Sequence, residues 1–231
     1  MSLLQTERDF KDIQQEYDHL FAYDQVRDDD RGYQWHARCL LKSCPNVKWL
    51  LDVACGGGYF LREFEGVVGK GRSALIGIDL SREALRIAQS QCPQAHRLLS
   101  VGESLPFRNQ TFDAITCLGS LEHFLDIQSA VREMTRVMKD DGSLYVLVPN
   151  MFWYKDLISV FFTGDKKDRN QTQERFATLG EWRRTLEDAG VRVVRTEKYN
   201  GIARSAAKQW LKDILIPLRF SYHFVFICRK N

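Results

Sequence analysis

The segment LLDVACGGGYF, Leu50 to Phe60, decides how the chain is read. An apolar run suited to a buried strand carries Asp52 near its end and passes into a turn of small residues. Gly56, Gly57 and Gly58 follow in succession, and the chain then resumes with the pattern of a helix. A strand, a glycine turn and a helix in that order can cradle a dinucleotide, hold another nucleoside, or simply turn tightly. The residues around the turn choose between these.

Outward from this unit the same alternation continues. Strand-like runs are VKWLLDV (47–53), SALIGID (73–79), AHRLLSV (95–101), FDAITCL (112–118) and SLYVLVP (143–149). Between them Ser81 suits a helix cap ahead of Ala84, Leu85 and Ala88. A helix from about Asp126 places Ile127, Ala130, Val131, Met134 and Met138 on one face and is expected to stop at DDG. The sequence TLGE (178–181) matches a capping box and opens a helix that ends at Gly190. Apolar strands alternating with helices predict an α/β fold with a parallel sheet covered by helices on both faces. VRVVRTE (191–197) and YHFVFICR (222–229) supply two more strands. Upstream, residues 6–44 read as helical, with Phe10, Ile13, Tyr17, Leu20 and Phe21 at spacings of three and four. RDDDRGY (27–33) is expected to break that stretch before a second helix with Trp35 and Leu40.

The chain has 231 residues, 44% of them hydrophobic and 27% charged, as expected of a soluble globular protein with a sizeable core. The net charge of +3 is too small to imply nucleic acid. The six cysteines are scattered without a C-x-x-C pair, which suits free thiols in a reduced, cytoplasmic setting. The charged N-terminus argues against a signal peptide, and no apolar run reaches membrane-spanning length.

The glycine turn fits a dinucleotide site poorly. Counting G-x-G-x-x-G from Gly56 gives Gly56, Gly58 and then Leu61 in place of the third glycine. Asp52 sets a carboxylate at the carboxyl end of the first strand, where it repels a pyrophosphate and welcomes a cation. A sulfonium and ammonium ligand such as S-adenosylmethionine suits it. Asp79, 21 residues beyond Gly58, ends the second strand where a carboxylate holds ribose hydroxyls. That position serves either cofactor, and either aspartate can also merely cap the next helix.

LLDVACGGGYF, IGIDLS, ESLPFRNQTFDAITCLGSLEHFLD and VMKDDGSLYVLVPN, in that order and spacing, resemble the class I S-adenosylmethionine-dependent methyltransferases, most closely the small-molecule branch. The resemblance is strong over roughly 45–150 and extends weakly through EWRRTLEDAGVRVV. It implies a Rossmann-like, mostly parallel seven-stranded sheet, helices on both faces, whose last strand, YHFVFICR, is antiparallel. It places Asp52 near the methionine end of the cofactor, with backbone from Ala54 and Cys55 through Gly56 to Gly58 lining it. Asp79 would bind the ribose hydroxyls, Leu80 would pack on adenine, Gly102 and Glu103 would lie at the adenine edge, and Leu118 would close the pocket under the methyl group. Ala54 stands where the family has glycine. Val101 stands where the family has an aspartate for the adenine amine, so that contact must come from elsewhere.

Methyl transfer from a sulfonium is an in-line displacement that positioning alone can drive far. His123, in LGSLEHFLD after the fourth strand, is the candidate general base for a hydroxyl acceptor, with packing on the cofactor as the alternative. Some relatives bind a divalent metal through Glu-x-x-Glu-His; here the first position is Gly119, so no metal is expected. Residues 1–44 are read as a helical cap. Residues 45–231 are read as the methyltransferase domain, with a substrate lid at about 150–178, aromatic first (Phe152, Trp153, Tyr154) and then basic. GIARSAAKQWLKDILIPLRF (201–220) is amphipathic and basic; packing on the body is expected of it before contact with a membrane surface or lipid-linked substrate. Tyr17 and Tyr23 resemble a gating element over the cofactor, and core packing explains them equally. The expected reaction is methylation of a small molecule at oxygen, without stable membrane insertion. RNA methylation, nicotinamide-dependent oxidoreduction and a non-catalytic partner subunit are the rivals.

Overall fold

The computed structural model of the protein describes residues 10–23, 29–165 and 175–231. Two helices, α1 (Phe10–Tyr23) and α2 (Asp30–Ser43), precede the sheet. Then follow β1 (Trp49–Val53), α3 (Tyr59–Val68), β2 (Ala74–Asp79), α4 (Arg82–Gln91), β3 (His96–Leu99) and β4 (Phe112–Leu118). After a single 3₁₀ turn at Leu121–His123 come α5 (Ile127–Val137), β5 (Met138–Pro149), α6 (Tyr154–Thr163), α7 (Leu179–Asp188), β6 (Val191–Tyr199), α8 (Ala206–Leu215) and β7 (His223–Lys230).

The seven strands form one sheet in the order β3-β2-β1-β4-β5-β7-β6. All pairs are parallel except those of β7, which lies antiparallel between β5 and β6. This is the Rossmann-like methyltransferase arrangement expected from the sequence. Because side chains alternate along a strand, β1 serves two cores. Leu50 joins the cluster under α2 and α3, with Leu40, Phe60 and Phe64. Leu51 and Val53 join the cluster under α5 and α7, with Met134, Trp182 and Leu186.

The helix starts follow their caps. Ser81 accepts a bond from the Ala84 N–H, Asp126 accepts one from the Ser129 N–H, and Thr178 with Glu181 forms the capping box. Two expectations need correction. The acidic stretch 27–33 is in its described part the start of α2, because the Asp29 carboxylate caps the Arg31 N–H. Met138 leaves the helical face of α5 and opens β5 opposite Phe112, where Lys139 can reach Asp113; a register shift between Phe112 and Ala114 takes up the mismatch.

Candidate cofactor and acceptor site

β2 and β3 lie on one side of β1 and β4 and β5 on the other, so connections diverge at the carboxyl ends of β1 and β4. Open α/β sheets bind ligands at such a point, and a cavity of about 310 Å³ opens there. Asp52, Ala54, Cys55, Gly56, Asp79, Leu80, Gly102, Glu103, Leu118 and His123 all line it, as does Val101. Of the expected cofactor contacts only Gly58 stays out of the wall. It takes φ +72°, and a Cβ there would come within 2.9 Å of the Ala88 Cβ, so its role is the close approach of α3 to α4.

Two carboxylates dominate the cavity's electrostatics. Asp52 is buried, accepts a 2.6 Å bond from the Thr116 hydroxyl, and is pushed up to about 7 by burial, with Asp79 adding to the effect. Asp79 is raised to about 6 by burial, even though the Gly56 and Ser81 N–H groups donate to it at 2.8 Å. Those two bonds fix the side chain and leave acceptor capacity on both oxygens. Two buried acids with raised pKa values create a demand for positive charge and hydroxyl donors. The residues thus fit the sulfonium, ammonium and ribose groups of S-adenosylmethionine.

Other expected residues act through backbone or packing. The Cys55 thiol lies beneath Gly77, and burial holds its pKa well above the ordinary value, so it is no nucleophile. Glu103 accepts from the Leu125 N–H at 3.0 Å, which ties the segment after β4 to the cavity floor. His123 sits at the end of the 3₁₀ turn with its ring edge-on to Tyr17, centroids 6.3 Å apart. Its neighbour Glu122 is buried but does not line the cavity.

Sequence reasoning placed only Tyr17 of the opposite wall over the cofactor and missed the rest. α1 supplies Phe10, Ile13, Glu16, Leu20 and Phe21 beside the expected Tyr17. It is fastened to the loop after β2: Gln14 Nε2 donates to the Leu80 carbonyl, and Asp18 accepts from the Ser81 hydroxyl and the Glu83 N–H. The signal was the apolar spacing of residues 10–21, which revealed a helix but not its partner. Tyr23 is exposed, rests on His19 and does not itself line the cavity. Phe152, Trp153 and Tyr154 do not line it either; Trp153 packs against Tyr222. The basic half of the expected lid, 166–174, lies outside the described residues.

The fold is the Rossmann-like methyltransferase fold, and the constellation at its switch point suits a sulfonium nucleoside. A family model described as a methyltransferase domain matches residues 51–146. Among curated proteins, the uncharacterised protein MJ1252 of Methanocaldococcus jannaschii is 30% identical over 170 residues, 72% of this chain and 64% of that protein. A ubiquinone biosynthesis O-methyltransferase of Alkalilimnicola ehrlichii is 38% identical over 98 residues, 40% of this chain and 38% of that protein. The chain thus spans less than two thirds of the length of these relatives. Among solved structures, a Haloferax volcanii protein in complex with the Trm112 methyltransferase activator aligns with a TM-score of 0.67 at 20% identity, covering 94% of this chain and 97% of that one. Burkholderia thailandensis 1,6-didemethyltoxoflavin-N1-methyltransferase, solved with S-adenosylhomocysteine, aligns with a TM-score of 0.65 at 16% identity, covering 95% and 87%. At these identities the structural likeness shows the fold.

Proposed function

We propose that the protein transfers a methyl group from S-adenosylmethionine to a hydroxyl oxygen of a small-molecule acceptor. The observation that carries this reading is one cavity at the switch point lined by two buried carboxylates and a histidine. When bound, S-adenosylmethionine supplies a methyl group activated on a sulfonium. Asp52 meets its positive end, Asp79 accepts from the ribose hydroxyls, and backbone at Ala54 to Gly56 lines the methionine part. Leu80 flanks adenine, Gly102 and Glu103 lie at its edge, and Leu118 closes the pocket. His123 takes the proton from the acceptor hydroxyl as the oxygen becomes the nucleophile. Leu20, Phe21 and Phe124 help keep water from the cavity.

Similarity to an enzyme of ubiquinone biosynthesis named for O-methylation supports oxygen over nitrogen as the acceptor atom. No metal enters the proposal, because Gly119 offers no carboxylate beside Glu122 and His123. The test is His123→Ala assayed against hydroxyl-bearing acceptors. The turnover number should fall by about 10²–10⁴ while S-adenosylhomocysteine affinity holds. Activity should also persist in EDTA. A loss confined to cofactor affinity would make His123 a packing residue, and loss on chelation restored by magnesium would overturn the metal-free reading.

A further inference from the structure

α6 and α8 are amphipathic in the wrong sense for packing. In α8 the polar side faces the body: Lys212 Nζ donates to the Asn200 carbonyl, and Gln209 Oε1 accepts from the Ala203 N–H. The apolar side faces outward, with Trp210 62%, Ile214 57% and Leu215 70% exposed, and the helix buries no residue. The helix thus rests on the body, as expected, but by its polar side. α6 repeats the inversion. Its one buried residue is Asp156, while Phe161 and Phe162 are 83% and 77% exposed.

The two helices share an edge of the molecule. β5 and β6 run the same way on either side of β7, and their last residues, Pro149 and Tyr199, both pair with His223. α6 and α8 thus leave the carboxyl edge of the sheet, the edge on which the cavity opens. Charge identifies what covers them. Residues 201–220 carry Arg204, Lys208, Lys212 and Arg219 against Asp213 alone, an excess equal to the whole chain's net +3. Of these, Arg204, Lys208 and Arg219 are exposed.

We propose that the outward faces of α6 and α8 form a docking surface for an anionic lipid bilayer. Aromatic and aliphatic side chains on one side of a short helix, with cations along its flank, are the make-up of a helix lying in the plane of a membrane interface. Lying in that plane, Trp210 and Ile214 would enter the acyl boundary while Lys208 and Arg219 meet phosphate headgroups. The surface stands apart from the cavity, so the proposal does not depend on the transfer reaction.

The test is flotation of the whole chain with vesicles of equal phosphatidylglycerol and phosphatidylcholine, against vesicles of phosphatidylcholine alone. The protein should float with the anionic vesicles, and less with neutral ones or in 0.5 M salt, each lysine or arginine near the surface being worth about fivefold in affinity. Ile214→Glu with Leu215→Glu should cut vesicle affinity at least about tenfold, since charge at the acyl boundary is costly. Both positions are exposed, so S-adenosylhomocysteine affinity of that variant should match the parent and report an intact fold. Absence of flotation by the parent chain overturns the proposal. So does sedimentation showing a dimer that the double variant abolishes, for then a second copy covers this face.

Discussion

Ala54 occupies a backbone position that suits glycine, with φ +58°. A side chain in this region costs about 1–2 kcal/mol, and the extra freedom of an unfolded glycine returns about 0.4–1 kcal/mol of that. Ala54→Gly should therefore stabilise the protein by about 0.5–1 kcal/mol in urea denaturation, with cofactor affinity retained; destabilisation would show that the Ala54 methyl packs productively. The raised acids give a second prediction at this scale. Asp52 titrates near 7 and Asp79 near 6 in the folded chain, against about 4 when unfolded. Between those values the folded state binds more protons than the unfolded one, so ligand-free stability should fall as pH rises from about 4 to 7. A cationic ligand favours the ionised carboxylates. S-adenosylmethionine affinity should rise over the same range, by up to about tenfold per pH unit for each group, with proton release on binding near pH 6. Calorimetry in two buffers of different ionisation enthalpy measures that release, and proton uptake would reverse the assignment.

Among the elements, α1 carries the most direct consequence for binding. Its described length buries only Ile13, yet it walls the cavity and is held at Leu80, Ser81 and Glu83. Asp18→Ala removes two acceptor contacts at the start of α4 and should cost about 1 kcal/mol of stability. It should also weaken S-adenosylhomocysteine binding several-fold, because the loop it releases adjoins Asp79 and donates to it from the Ser81 N–H. Unchanged affinity would mean that α1 covers the cavity without shaping it. Tyr17 over the cofactor was anticipated, but the anchoring of α1 was not legible, since Asp18 and Ser81 meet across 63 positions and no local pattern encodes that contact. Local signals did read well where the physics is local. Ser81, Asp126 and Thr178 cap the helices they were expected to cap, and the five apolar runs before residue 150 all became strands. Met138 misread as helical because its apolar character suits both a helix face and a strand, and only the pairing with Phe112 decides.

At the scale of the molecule, strand order gathers the site. Asp52, Asp79 and His123 are separated by up to 71 positions, yet the reversal between β1 and β4 brings all three to one cavity. The spacing of the glycine turn and the two aspartates made the carboxyl-end wall readable in advance. The orientation of α6 and α8 was not readable, because an amphipathic sequence states that two faces differ but not which one the body takes. The central claim is that the acids of this cavity await a sulfonium nucleoside. Calorimetric titration with S-adenosylmethionine and with NAD, for the parent chain and for Asp52→Asn and Asp79→Asn, tests it most directly. The account predicts one site for S-adenosylmethionine, weakened by each substitution, and no measurable heat with NAD. Binding of NAD with comparable affinity, or S-adenosylmethionine binding indifferent to both aspartates, would contradict it.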